Sequence, residues 1–394
     1  MSEWPTVRFE NLSADEKSSI TKPYGSAFTK ADYTSDGIPM IRGVNLGNGI
    51  FFDDDFVFVS TEKADSMPGA NLGPGDLIFT HRGTIGQVSM VPRSPRYPRY
   101  TLSTSQVKAR LDASRALPEF YYYWFRSPAG QHSILAHIST VGVPGLVQPV
   151  ATIKSLQVPH PPLGEQRAIA EVLGSLDKKI AANTHAISTS LSLSSSLFRF
   201  EISKNSSTVR LSEVVEFHNR QRIPLSKLQR KERQGTYPYY GAAGIIDHVS
   251  DFIFDGDYVL AGEDGSVVTP SGHPVLQHVR GKFWVSNHAH VLAGRGISNN
   301  LLFEALQIAN VRSHLTGAVQ PKLSMSNLSS VLVELPDPQR RVELARTLEP
   351  MRDTIRSREH ENRMLAELRD TLLPQLVSGK IRVKDAERIM GDAA

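Results

Sequence analysis

Five short segments occur twice in this chain, in the same order, and that doubling constrains the fold more than any single motif. Thr6-Val7-Arg8-Phe9 returns as Thr208-Val209-Arg210-Leu211, and Gly75-Asp76-Leu77-Ile78 as Gly256-Asp257-Tyr258-Val259. Gly145-Leu146-Val147-Gln148-Pro149 returns as Gly317-Ala318-Val319-Gln320-Pro321, and Gln166-Arg167 as Gln339-Arg340. The apolar series Leu173, Leu176, Ile180 returns as Leu348, Met351, Ile355. The offsets drift through 202, 181, 172, 173 and 175 residues while the order is kept. Self-similarity of this kind means one structural unit built twice. Thr6 to Pro149 spans 143 positions and Thr208 to Pro321 spans 113, so the second copy is shorter. Loops vary and packed elements persist, so two copies that diverged in what they touch are expected to differ in this way.

Each copy reads as a globular domain followed by a long helix. The first domain, residues 1–158, has the pattern of a mixed α/β (α+β) fold. Asp55–Val59 alternates in the β manner, and Asp76–Thr80 with Gln87–Val91 reads as two strands joined by a glycine-bearing loop. Leu117-Pro118-Glu119 opens a helix that runs through Tyr121-Tyr122-Tyr123-Trp124-Phe125, an aromatic run expected to be core packing. A helix and short linker follow over 159–207. The second domain covers 208–335, and 336–394 holds a second long helix and a tail.

The two helices carry matching seams. Leu173, Leu176, Ile180, Asn183, Ile187, Ser190, Ser194 and Leu197 alternate spacings of three and four. Leu344, Leu348, Met351, Ile355, Asn362, Leu365, Leu368 and Leu372 form the second stripe, interrupted at Arg358 as the first is at Asn183. The first helix is expected over 164–203. The second is expected to end near 373, stopped by Pro374 and Gly379. The second stripe has nowhere to bury except against the first, so the helices are expected to pair antiparallel. About 35 helical residues span roughly 50 Å. The alternative is that each helix packs on its own domain.

Much chemistry is absent. The chain has 394 residues, 40% of them hydrophobic, and no cysteine. Disulfides, thiolate nucleophiles and cysteine-ligated metals are therefore excluded. His273, His278, His288 and His290 cluster in sequence without a metal-ligand spacing, and no metal site is expected. Asp53-Asp54-Asp55 reads as a solvated turn. No phosphate-cradling G-x-x-x-x-G-K-[ST] loop, no dinucleotide fingerprint and no nucleophile elbow is found. No secretory leader or membrane span is visible, and a cytoplasmic location is the expectation.

The net charge of +4 permits nucleic-acid binding where it is clustered. Candidate DNA contacts in the first domain are His81, Arg82 and Thr84 on the loop between two strands, and Arg93, Arg96 and Arg99 around a proline-rich loop. In the second domain they are Arg220, Arg222, Lys227, Arg230, Lys231 and Arg233, with Tyr239 and Lys282. Lysine and arginine suit phosphates, and arginine also reads base edges. The competing reading of each cluster is a solvated charged face. Two diverged domains on a rigid spacer make a ruler for half-sites along a duplex.

At this point the chain resembles the specificity subunit of type I restriction–modification systems over essentially its whole length. The residues that carry the resemblance begin with Gly145-x-Val147-Gln148-Pro149 and Pro162-Leu163-Gly164-Glu165-Gln166-Arg167. In the second half they are Tyr237-Pro238-Tyr239-Tyr240-Gly241 with Gly244, Gly317-x-Val319-Gln320-Pro321, Pro338-Gln339-Arg340, and Leu372-Leu373-Pro374-x-Leu376-x-Ser378-Gly379-x-Ile381. The resemblance implies two target-recognition domains that read a split double-stranded DNA site. It implies DNA adenine methyltransferase subunits, expected as two, docked on the helices and domains, and a restriction or translocase subunit joining them. S-adenosylmethionine and ATP would belong to those partners, leaving this chain non-catalytic and without a cofactor. A coiled-coil scaffold with protein- or ligand-binding end domains is the alternative. Two extra residues between Gln339 and Leu348, against Gln166 to Leu173, put the symmetry of one helix end in doubt.

Overall fold

A computed structural model describes residues 4–47, 51–139, 144–317 and 320–393. Ala318 and Val319 of the second glutamine-proline motif lie outside the described residues. The chain divides into two compact units, Met1–Ala181 with Glu361–Ala394, and Ala182–His360. Each unit contains one domain and one half of each long helix.

The chain begins with strand β1 (Thr6–Arg8), then β2 (Ile20–Thr21), β3 (Leu77–Thr80), β4 (Val88–Met90) and β5 (Gln106–Ala109). Helix α1 (Pro118–Arg126), the short helix α2 (Pro149–Ser155) and strand β6 (Gln157–Pro159) lead into the long helix α3 (Leu163–Lys204). The main sheet has the order β2-β5-β3-β4, all pairs antiparallel. A second, five-stranded sheet is built from residues 33–34, 57–59, 38–41, 100–102 and 71–72. β1 pairs antiparallel with β6, Val7 opposite Val158, and closes the domain directly before the long helix. Phe9, Phe79 and Phe125 meet edge to face at 4.8 to 6.0 Å, on the core that the aromatic helix α1 fills. Tyr121, Tyr123, Trp124 and Phe125 are all buried, as the sequence suggested. Burying one such ring is worth about 1.5–3 kcal/mol.

The second unit repeats the plan. Strand β7 (Ser206–Arg210) is followed by β8 (Val215–Phe217), helix α4 (Lys227–Glu232), β9 (Gln234–Tyr240), β10 (Ile245–Val249), β11 (Phe254–Gly262), β12 (Leu276–Val285) and β13 (Ala289–Gly294). Helix α5 (Asn299–Ile308) and strand β14 (Leu332–Pro336) precede the long helix α6 (Pro338–Ser378). The sheet order is β8-β13-β11-β12-β9-β10. Its first four members match the β2-β5-β3-β4 sheet of the first unit strand for strand. β7 pairs with β14, Val209 opposite Val333, as β1 pairs with β6. The domains differ where β9 and β10 extend this sheet and the first unit instead has its separate five-stranded sheet.

The long helices pair antiparallel inside each unit. In the first, Asp177 bonds Arg369 at 2.8 Å and Lys179 meets Glu361 at 3.2 Å. In the second, Arg358 donates to Asn183 at 2.9 Å and Arg340 meets Glu201 at 3.6 Å. Residue numbers fall along one helix as they rise along the other. Leu173, Leu176, Leu348 and Ile355 are buried on the seam, while Ile180, Ile187, Met351 and Leu365 are half-buried.

The expected end of the second helix needs correction. It runs through Pro374 to Ser378 and ends at Gly379, whose φ of +81° suits glycine. Proline inside a helix costs about 3 kcal/mol. Leu372, Leu373, Leu376 and Val377 around it are buried in the first unit's core, and that burial outweighs the cost.

The expected two-residue insertion is also corrected. Gln166 donates to the Pro161 carbonyl at 2.8 Å, and Arg341, not Gln339, donates to the Pro336 carbonyl at 2.6 Å. Both members of that bond, and the pairs Val158/Val333, Leu173/Leu348 and Ile180/Ile355, share an offset of 175. No insertion separates the copies here; the Gln-Arg dipeptides are two positions out of step with the structure.

Candidate nucleic-acid interface

In each unit the loop after the central strand is fastened to two other segments. In the first, the His81 N–H donates to the Ser105 carbonyl at 3.0 Å, and the His81 carbonyl accepts from Leu146 N–H at 3.1 Å. In the second, the Glu263 N–H donates to His288 at 2.8 Å, and the Glu263 carbonyl accepts from Leu323 N–H at 2.8 Å. Gly83 and Gly265 follow at φ +85° and +80°, a conformation that glycine adopts without steric cost. The segment carrying the glutamine-proline motif is thereby held at the corresponding corner of each sheet, Arg82 bridging Gly145 at the start of the first motif and Asp264 bridging Lys322 just after the second.

The two corners carry different charge. His81 is buried, its Nε2 bonded to the Thr104 carbonyl at 3.1 Å. Burial holds its pKa below the usual histidine value, and the nearby Lys22 and Arg82 charges act in the same direction. Arg82 and Thr84 are exposed. In the second unit the corner is acidic and largely neutralised. Glu263 binds Arg222 at 2.7 Å and lies 3.5 Å from His290 and 3.9 Å from Lys322, while Asp264 bonds His288.

Other expected contacts in the first domain are engaged in ion pairs. Arg93 grips Glu119 through two bonds of 2.5 and 2.9 Å, and Arg99 meets Asp65 at 2.6 Å. Arg96 meets Asp54 at 3.4 Å and its N–H donates to Asp53. Asp53 also accepts from the Tyr100 hydroxyl at 2.6 Å. The aspartate run is thus partly an internal brace and not only a solvated turn.

In the second domain the basic segment divides. Arg220, Lys227, Lys231 and Arg233 are exposed and form no ion pair among the described residues. Arg222 is fixed by Glu263 and by the Ala289 carbonyl at 2.8 Å. Arg230 is fixed by Asp247 at 3.0 Å and by the Leu225 carbonyl. Tyr239 is 1% exposed, its hydroxyl accepting from Leu225 N–H at 2.9 Å. It anchors the basic segment from the core. Lys282 is exposed, over the Phe252 ring at 4.6 Å. His278 bonds Asp257 at 2.7 Å and His273 bonds the Ala309 carbonyl, so these histidines serve the scaffold. Among the described residues no group of three His, Cys, Asp or Glu side chains converges as for a metal ion.

The sequence did not reveal two polar hubs that join the domains to the helices. In the first unit Asp177 of α3 accepts from Tyr123 of α1 at 2.9 Å and from Arg369 of α6 at 2.8 Å. In the second, Glu304 of α5 accepts from Arg352 of α6 at 2.9 Å and from Ser194 of α3 at 2.5 Å. Single charges on long helices read as solvated positions, and nothing short of the 175-residue register distinguishes these two.

A second repeat was also missed. Ile38-Pro39-Met40-Ile41 and Tyr237-Pro238-Tyr239-Tyr240 both lie beside a parallel strand, Met40 opposite Thr101 and Tyr239 opposite Trp284. The next step matches too, Ser103 N–H donating to Ile41 and Ser286 N–H to Tyr240. Only the shared proline marks this in the sequence.

Comparison with known proteins agrees with the doubling. The model of the type I restriction modification DNA specificity domain matches this chain twice, over residues 20–192 and 203–367. A putative type I restriction enzyme specificity subunit of Haemophilus influenzae is 32% identical over 142 residues, 36% of each chain. The EcoprrI specificity subunit of Escherichia coli is 27% identical over 141 residues, 35% of this chain and 34% of that protein. The chain thus matches about a third of the length of these two relatives. The MjaIX specificity subunit of Methanocaldococcus jannaschii is 22% identical across 90% of this chain and 89% of its own. A crystal structure of a type I restriction–modification S subunit from M. genitalium shares the fold, with TM-score 0.61 at 17% identity over 95% of this chain and 96% of that one. With two matched copies covering most of its length, the chain belongs to the type I restriction modification DNA specificity domain family.

Proposed function

We propose that this chain is the sequence-specificity subunit of a type I restriction–modification complex. Each domain reads one half of a split double-stranded DNA target, and the paired helices set the gap. The helices and domains dock adenine methyltransferase subunits, two in number, and a restriction or translocase subunit joins them. The chain is non-catalytic; S-adenosylmethionine and ATP bind the partners. It works in the cytoplasm, in keeping with the absence, among the described residues, of a helix long and apolar enough to cross a membrane.

One observation carries the reading. The closing strand pair, the four-strand sheet and the helix register are kept between copies, while the first unit exposes Arg82 at its sheet corner and the second exposes Arg220, Lys227, Lys231 and Arg233 on a segment of its own. A kept scaffold with diverged basic surfaces suits two domains that bind one kind of polymer at different sequences. The test is co-expression with an adenine methyltransferase and mapping of methylated bases. One gapped motif is expected, and replacing 208–335 with another recognition domain changes one half of it only. Methylation without a gapped motif, or a change in both halves, would overturn the reading.

A further inference from the structure

We propose that Lys22, Arg82 and Lys154 of the first unit form a clamp for the phosphate backbone of duplex DNA, seated on Gln148-Pro149. This rests on the DNA-specificity reading above and assigns the motif a role in it.

The three cations come from separate segments. Lys22 follows β2, Arg82 follows β3, and Lys154 stands in the last turn of α2. Lys22 and Lys154 line one open concavity of about 410 Å³ together with Gln148, Pro149, Val150 and Ala151. Arg82 is tied to the same motif through its backbone bridge to Gly145. The Lys22 and Arg82 charges both act in the same direction as burial on the His81 ring, beside Arg82 in the chain. None of the three forms an ion pair among the described residues, whereas Arg93, Arg96, Arg99 and Arg110 of the same unit are each paired with a carboxylate. Cations gathered without counter-charge repel one another, and an anion seated among them removes that repulsion.

The motif between them is held in a costly conformation. Gln148 has φ +41°, in the left-handed region that non-glycine residues avoid. Thr152 enforces it, its N–H donating to the Gln148 carbonyl at 2.9 Å and its hydroxyl to the Val147 carbonyl at 2.5 Å. The Gln148 side chain is exposed and lines the concavity, where an amide can donate to a phosphate oxygen. Lysine and arginine supply the charge and the hydrogen-bond donors that phosphate oxygens take.

The test uses the full chain and a duplex carrying its methylated motif, with affinity measured across a salt series. The variants are Lys22→Gln with Lys154→Gln, Arg82→Gln, and all three together. The triple variant is expected to bind on the order of tenfold or more weakly. Its log affinity against log salt is expected to flatten by about 0.9 for each phosphate no longer neutralised. The recognised sequence stays the same, and Lys22→Arg with Lys154→Arg restores binding. Circular dichroism establishes that each variant is folded. Wild-type affinity and salt slope in the folded triple variant would overturn the clamp, as would a changed recognised sequence. Loss of methyltransferase co-purification with DNA affinity intact would make the surface a protein-binding one and overturn it as well. Absence of salt-sensitive DNA binding by the wild-type chain would instead overturn the specificity reading itself.

Discussion

Asp177 and Arg352 stand at equivalent positions of the two long helices, 175 residues apart, and carry opposite charge. Each joins its helix to the domain of its own unit. Their partners are equivalent as well: Arg369 of α6 answers Asp177 in the first unit, and Ser194, 175 residues before it, shares Glu304 with Arg352 in the second. The geometry of the hub was kept while its polarity was reversed.

That reversal gives a stability prediction for the second unit. Glu304 and Arg352 are 1% and 5% exposed, and Arg352 also stacks over the Phe303 ring at 4.3 Å. Removing one partner of a buried pair leaves the other charge stranded at a cost of about 3–5 kcal/mol. Arg352→Met is therefore expected to lower stability by that amount in urea denaturation. Adding Glu304→Leu removes the stranded carboxylate and is expected to recover most of the loss. A double variant as unstable as Arg352→Met would show that the two side chains do not act as a pair.

Gln166 yields a second prediction. It is fully buried, its Oε1 accepting from Leu117 N–H at 2.8 Å and its Nε2 donating to the Pro161 carbonyl at 2.8 Å. It thus ties the start of α1 to the start of α3. Gln166→Ala leaves a buried N–H and a buried carbonyl without partners, and about 2–4 kcal/mol of destabilisation is expected. Thermal melting of the full chain checks this. A shift no larger than that of an exposed substitution such as Lys178→Ala would refute the assigned role.

The doubled plan was legible because turn, strand and seam residues recur as short motifs with a local meaning. Val7 and Val209 belong to a repeated segment in the sequence and to equivalent strand pairs in the structure, and Leu173 and Leu348 are seam residues in both. Charge was less legible. Arg93 and Arg82 look alike in sequence, but Glu119 neutralises the first from 26 positions away, and no local pattern shows that. Tyr239 read as a surface aromatic because its burial depends on Leu225 and on the parallel strand partner Trp284. Pro374 read as a stop because local propensity ignores the tertiary burial of its neighbours.

Tyr239 and the basic segment separate support from contact. The hydroxyl of Tyr239 is bonded to Leu225 N–H just ahead of α4. Tyr239→Phe strands that N–H and is expected to cost about 1–3 kcal/mol in stability while the methylated motif stays the same. Lys227→Ala with Lys231→Ala is expected to do the reverse, leaving the melting temperature unchanged. DNA affinity then weakens uniformly across sequences and the salt slope falls by roughly one per lysine. Calorimetric melting and DNA titration on the same samples test both. Equal effects of the two variants on DNA affinity would refute the distinction.

His290 gives the last prediction, in pH. It is fully buried, its Nε2–H donating to the Leu323 carbonyl at 2.7 Å and its Nδ1 accepting from the Asn219 amide at 2.8 Å. The Asn219 oxygen is occupied by Val291 N–H, so its amide nitrogen faces the ring and the ring must be neutral there. Burial is the main cause that holds the His290 pKa below 6.5, against the attraction of Glu263. Above that pH the ring is neutral folded or unfolded, and its contribution is complete. As pH falls below 6.5 the unfolded chain takes up the proton first, so stability is lost toward the depressed folded value. Glutamine in this place keeps one donor and one acceptor and does not titrate. His290→Gln is therefore expected to lose less stability between pH 7 and pH 5 than the wild type. Parallel pH dependence of the two proteins in urea denaturation would show that His290 is not the group responsible.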